Sequence, residues 1–120
     1  MEAAQISNED NYLRRVPVFL PNYIKQDGSI TRLAFTPRRG DDGLSGDVER
    51  PTKYETAILD PMRFRLLRIN VKVIRIDIND GLDVIHSPVE GNYAHCLIIG
   101  NITEGKAKQL LLNSNEVTSQ

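Results

Sequence analysis

Tryptophan is absent, cysteine occurs once, histidine twice, and aromatic residues make up only 6% of the 120 residues. A lone cysteine, Cys96, rules out an internal disulfide framework and any cysteine-rich zinc site. So few aromatics leave the core to aliphatic side chains. No apolar run approaches the roughly 18 residues that a membrane-spanning helix requires, so no membrane partner is expected. The first ten residues are acidic and lack the basic and apolar regions of a signal peptide. The expected location is therefore the cytoplasm. A dominant charge sign is lacking as well, and a net charge of −1 argues against bulk electrostatic capture of nucleic acid.

What the chain does have is ordinary globular chemistry, with 40% hydrophobic and 26% charged residues. The length suits a single core. The expected organisation is a flexible lead over 1–11, one α+β domain over 12–112, and a flexible polar tail over 113–120.

The densest patterning lies between Ile69 and Leu112. Ile69, Val71 and Val73 alternate with polar residues, and the alternation then continues on the other parity through Ile74, Ile76 and Ile78. The pattern predicts a strand over 69–78 with a β-bulge at Val73/Ile74. The alternative is a central strand buried on both faces, in which Arg75 must find a partner. Asn79-Asp80-Gly81 is a turn signal, and Leu82 to Ile85 returns as a second hairpin arm, stopped by Ser87-Pro88. Tyr93 to Ile99 is apolar on both parities, as in an interior strand. A C-terminal helix follows, capped by Asn101 or Thr103, with Ile102, Ala107, Leu110 and Leu111 as its apolar stripe.

The N-terminal half is less regular. Tyr12 to Pro21 is apolar but broken by Pro17 and Pro21, which suits an edge strand. Ile30 to Phe35 reads as a short strand, 36–43 as loop, and Leu44 to Val48 as another strand. Thr52 and Glu55 form a capping box that opens a short helix through about Leu59. These elements predict an α+β fold, an antiparallel or mixed sheet of about five strands packed by the C-terminal helix and the short helix.

Residues able to carry chemistry are few. His86 and His95 are candidate acid/base groups, with Asn92 placed to position a substrate. Each also reads as an ordinary structural residue: His95 as a core-facing histidine bonded to backbone, His86 as a loop histidine, and Asn92 as part of a Gly-Asn turn. Two histidines at this spacing lack a third ligand, so no metal is expected. No cofactor motif is present. Arg38, Arg39 and Arg75 are candidate phosphate or nucleic-acid contacts. Arg63, Arg65, Arg68, Lys72 and Arg75 form a basic run followed by Asp77, Asp80 and Asp83, which fits cross-strand pairing or a strip that binds RNA. Gly43-Leu44-Ser45-Gly46 is one residue short of a nucleophile elbow and lacks its strand-to-helix context. Cys96, in mid-strand, reads as a small inert hydrophobe.

Asp27-Gly28, Ala34-Phe35, Gly43-Leu44-Ser45 and Asn92-Tyr93-Ala94-His95, with Asp83-Val84 and Pro88 between, resemble a pattern in small bacterial proteins. The resemblance implies a compact bacterial cytoplasmic protein from a mobile-element or defence-related gene cluster, and it carries over no catalytic residue. No motif decides whether the chain is an enzyme. The leading expectation is a non-catalytic interaction or accessory module, paired with a protein partner or a second copy through the edge-like N-terminal strand. The alternative is an enzyme or binder of a phosphate-bearing nucleotide or nucleic acid that uses His95 or His86 with the nearby arginines.

Overall fold

A computed structural model describes residues 5–49, 58 and 60–118. Among them, six strands form one antiparallel sheet: β1 (Asn11–Pro17), β2 (Leu44–Val48), β3 (Phe64–Asn70), β4 (Asp83–His86), β5 (His95–Ile99) and β6 (Asn115–Val117). Their spatial order is β4-β5-β2-β1-β3-β6. With helix α1 (Glu104–Leu112) this is the expected α+β class, with one strand more than anticipated.

Strand alternation sorts the side chains onto two faces. Tyr12, Val16, Leu44, Ile69, Val84, Cys96 and Ile98 share the inner face. Ala107 and Leu110 of α1 lie against them, together with Ala34 and Phe35 from a 3-10 turn at Arg32–Phe35. Thr103 is the N-cap of α1, its hydroxyl accepting the Lys106 N–H at 3.3 Å. The opposite face carries a smaller cluster of Leu13, Leu66, Val117 and Ile58. Apart from Ile58, the helix expected from Thr52 to Leu59 lies outside the described residues. No described helix is long and apolar enough to cross a membrane.

Three expectations need correction. The 69–78 strand stops at Asn70, and Val71 onward is helical, with a π-helix over Val73–Ile78. The parity slip at Val73/Ile74 was helical periodicity: Val71 and Ile74 are buried and Ile78 packs beside them, the i, i+3, i+7 spacing of one helix face. The Asn70 side chain starts this turn by accepting the Lys72 N–H at 3.0 Å. Tertiary packing thus overrides the strand preference of β-branched residues. β1 is not an edge strand but lies between β2 and β3. Its proline sits at its last position, where a missing N–H costs little. Ile30 to Phe35 is a bridge residue and a 3-10 turn instead of a strand. Described residues toward each end also join the fold. Ile6 is buried in the main core, and the polar tail supplies β6, which pairs with β3 from Leu66↔Val117 to Arg68↔Asn115.

β6 is held by charge as well as by its ladder. Arg65 donates to both Glu116 carboxylate oxygens, at 2.8 and 2.5 Å. Those bonds hold the Glu116 carboxyl below its usual value. A depressed carboxyl stabilises the fold above its unfolded value, and that contribution disappears as the pH falls through the lower folded value. Glu116→Gln should therefore cost roughly 0.2–1 kcal/mol at neutral pH and almost nothing in acid, a difference readable by urea unfolding at the two pH values. Gly46 should be far less tolerant. A Cβ there would meet the Tyr12 ring at 2.4 Å and the Leu13 carbonyl oxygen at 2.5 Å. Backbone cannot give way as a flexible side chain can, so Gly46→Ala should lower stability by about 1–3 kcal/mol or more in the same experiment.

Candidate functional site

β1 pairs with β3 along its whole length, down to Pro17↔Phe64. Its ladder with β2 has only Tyr12↔Val48 and Leu13↔Asp47, although β2 continues against β5 to Leu44↔Ile98. The two strands therefore fork beyond Leu13. Side chains take over where the ladder stops. The Tyr12 hydroxyl reaches the carbonyl oxygens of Leu44 and Ser45 at 3.0 and 2.9 Å. Burial pushes its phenol well above the ordinary tyrosine value, so it acts as a neutral donor. Arg14 donates through Nη1 to the Ser45 carbonyl at 2.6 Å and through Nε to the Ala34 carbonyl at 2.8 Å.

A cleft of about 450 Å³ opens at this fork. Arg14, Arg15, Arg38, Asp41 and Ser45 supply its polar lining, and Phe19, Tyr23 and Phe64 its aromatic lining. Arg14 lies opposite Leu67 in the β1–β3 register and so points to the core side of the sheet. Among the described residues, the other half-buried cations have carboxylate partners. Arg15 lies 3.5 Å from Asp47, Arg65 pairs with Glu116, Arg68 with Glu49, Arg75 with Asp83 and Lys106 with Asp80. Among the described residues Arg14 has none; its guanidinium donates to two backbone carbonyls and lies beside the Tyr12 hydroxyl. Arg38 is exposed, and its backbone N–H, not its side chain, bonds Asp41 at 2.8 Å. Arg63 lies over the Phe19 ring, 4.3 Å from its centroid, and 5.7 Å from that of Phe64.

Of the residues singled out from sequence, Arg38 borders this cleft, as does Ser45 of the Gly43-Leu44-Ser45-Gly46 run. Arg39 is exposed outside its lining. Arg75 is committed to structure: it donates to Asp83 at 2.7 Å, to the Ile6 carbonyl at 2.7 Å, to Asn8 at 3.0 Å and to the Val84 carbonyl at 2.8 Å. The basic run from Arg63 to Arg75 is thus broken up, with Arg65, Arg68 and Arg75 each engaged by a carboxylate.

The histidines do not meet. His86 lies opposite Cys96 in the β4–β5 register, so His95, one residue earlier on β5, points to the other face. Each ring is bound to backbone: His86 Nε2 lies 2.6 Å from the Tyr93 carbonyl oxygen and His95 Nδ1 2.7 Å from that of Ser87. A carbonyl only accepts, so those nitrogens carry the protons. His86 also packs edge-to-face on Tyr93 at 4.8 Å. Asn92 closes the turn before β5, donating to Asp47 at 2.8 Å and accepting the Ala94 N–H at 3.1 Å. Asn92, Asp47 and His95 are therefore neighbours, since Asp47 lies opposite His95. Cys96 is buried, and desolvation pushes its thiol up to about 12, which leaves it inert. Among the described residues, no group of three or more His, Cys, Asp or Glu could hold a metal ion.

Sequence reasoning missed Arg14, Phe19, Tyr23 and Asp41. The Arg14-Arg15 doublet was the available signal, because neighbouring strand residues face opposite ways and one of the two must point inward. Set against known protein families, curated proteins and solved structures, the chain matches none. Asn92 offers a direct check on the turn. Asn92→Asp would set a second carboxylate against Asp47, which is only 4% exposed. It should destabilise the protein by about 1–3 kcal/mol, measured by thermal unfolding.

Proposed function

We propose that this chain is a cytoplasmic, non-catalytic binding module that takes a phosphate-bearing nucleotide or nucleic-acid fragment in the cleft at the β1–β2 fork. The observation that supports this reading is Arg14. The residue is half-buried at the cleft and its guanidinium is fixed by two carbonyls, while its charge meets no carboxylate among the described residues. Arg38 lines the same cleft. Two guanidinium groups at one opening suit phosphate, whose oxygens match their planar forks of donors.

The non-catalytic part rests on the lining. No histidine or cysteine occurs among the described lining residues, and both imidazoles are engaged by backbone carbonyls elsewhere. Partnership through an exposed N-terminal strand, the leading expectation from sequence, loses its basis because β1 is interior. The free edge of β4 is guarded too. The Val84 carbonyl accepts from Arg75, and the Val84 N–H donates to Asp83, so that residue offers little to an incoming strand.

Titration with pyrophosphate and with adenosine monophosphate, followed by backbone amide NMR, tests the reading. Shifts should centre on Arg14, Arg38, Asp41 and Ser45, and affinity should fall as salt rises. Arg14→Ala and Arg38→Ala should each weaken binding about tenfold, the loss of one charge-assisted contact. Arg39→Ala and His95→Ala should leave it unchanged. Shifts confined to the His86/His95 hairpin, or none at millimolar ligand, would remove the proposal.

A further inference from the structure

The aromatic wall of the cleft narrows the ligand class. Phe19 is 51% exposed, yet its ring is held in place. Phe64 packs edge-on against it at 5.7 Å and 84°, and the Arg63 guanidinium lies over it at 4.3 Å. Large aromatic rings left in water lose the burial that ordinarily stabilises them. One that is also oriented by two neighbours, at the rim of a cationic cleft, is a platform for a flat ring.

We propose that the cleft selects a nucleoside monophosphate, with the base stacked at Phe19 and the phosphate held by Arg14 and Arg38. The inference rests on the anion-binding reading above and adds to it both the base and the number of phosphates. Three observations converge on this ligand. The volume of about 450 Å³ falls in the roughly 300–1,000 Å³ range of small-molecule sites, too little for a duplex or an extended strand. Charge fits one phosphate: Arg15 is already met by Asp47. That leaves Arg14 and Arg38 against Asp41 in the lining, with Arg63 beside it over Phe19, a local excess of cations that suits a phosphate monoester of about −1.5 to −2. Asp41 is the sole carboxylate among the described lining residues. It gives sugar hydroxyls an acceptor but repels a longer phosphate chain, and one carboxylate is a poor anchor for the magnesium that polyphosphates carry.

Calorimetric titration of the full chain with adenosine monophosphate, ribose 5-phosphate, adenosine triphosphate and a short single-stranded oligonucleotide separates the possibilities. The monophosphate should bind about tenfold or more tightly than ribose 5-phosphate, the contribution of one stacked base. Phe19→Ala should abolish that difference without changing ribose 5-phosphate binding, and Phe19→Trp should preserve it. Phe19 is a surface residue, so neither variant threatens the fold. Equal affinity for the two monophosphates would overturn base stacking and leave the anion site standing. Tighter binding of the triphosphate would overturn the single-phosphate assignment. Tighter binding of the oligonucleotide, with a steep salt dependence, would replace the mononucleotide by a strand. Failure of all four ligands to bind would sink the anion site itself.

Discussion

Everything distinctive in this molecule follows from the place where β1 and β2 stop being partners. A sheet normally satisfies each strand's carbonyls through the neighbouring ladder, and an inner strand that forks away leaves acceptors that must be met by other means. Here Tyr12 and Arg14, on the same side of β1, meet them. The Tyr12 hydroxyl holds the Leu44 and Ser45 carbonyls, and Arg14 ties Ser45 to Ala34 of the 3-10 turn. Gly46 makes this possible, because the Tyr12 ring lies where any Cβ would be. The fork is thus a closed set of hydrogen bonds, and its mouth is the cleft. The cleft's lining joins the strand residues Arg14 and Ser45, which help hold the fork, to Phe19, Tyr23, Arg38 and Asp41 from the flanking connections.

The same logic explains how charge is distributed. Arginine is abundant here and is used mostly as a bracket between elements. Arg65 fastens β6, Arg68 holds Glu49, and Arg75 joins the N-terminal segment to β4 through Ile6, Asn8, Asp83 and Val84. Bidentate pairing of this kind fixes geometry more than it adds stability. Once these brackets are set aside, the cations left without a carboxylate among the described residues include Arg14, Arg38 and Arg63. All three lie in or beside the same cleft. Localised positive charge on a chain of net charge −1 is what a small anionic ligand requires and what bulk nucleic-acid capture does not.

Legibility in the sequence tracked how local each signal was. α1 was readable because its cap and stripe lie within one segment, and β5 because seven consecutive residues, Tyr93 to Ile99, agree. The helical stretch after Asn70 was misread because β-branched residues spaced for a helix face also alternate for a time. What separates the two readings is packing, which buries Val71 and Ile74 in the main core with Ile78 beside them. β1 was misplaced for a related reason: proline signals an edge only where its N–H is needed, and Pro17 sits at the strand's end. The polar tail gave no sign of β6, because Glu116 joins the sheet by pairing with Arg65, far away in sequence. Of the cleft, Arg38 could be seen. The Arg14-Arg15 doublet marked one inward arginine, but that Arg14 meets no carboxylate among the described residues is a property of the assembled fold.

An arginine that both closes a fork and carries an unmatched charge ties ligand occupancy to stability. Arg14 is anchored by two carbonyls and meets no carboxylate among the described residues. An anion at the cleft would supply that counter-charge while leaving the two carbonyl bonds intact. Any ligand bound only by the folded state stabilises it in proportion to its saturation, and here the gain would fall on the β1–β2 junction in the middle of the sheet. A ligand held there would bridge the strand residue Arg14 and the loop residue Arg38, and so act on the junction that the Tyr12 and Arg14 hydrogen bonds already close.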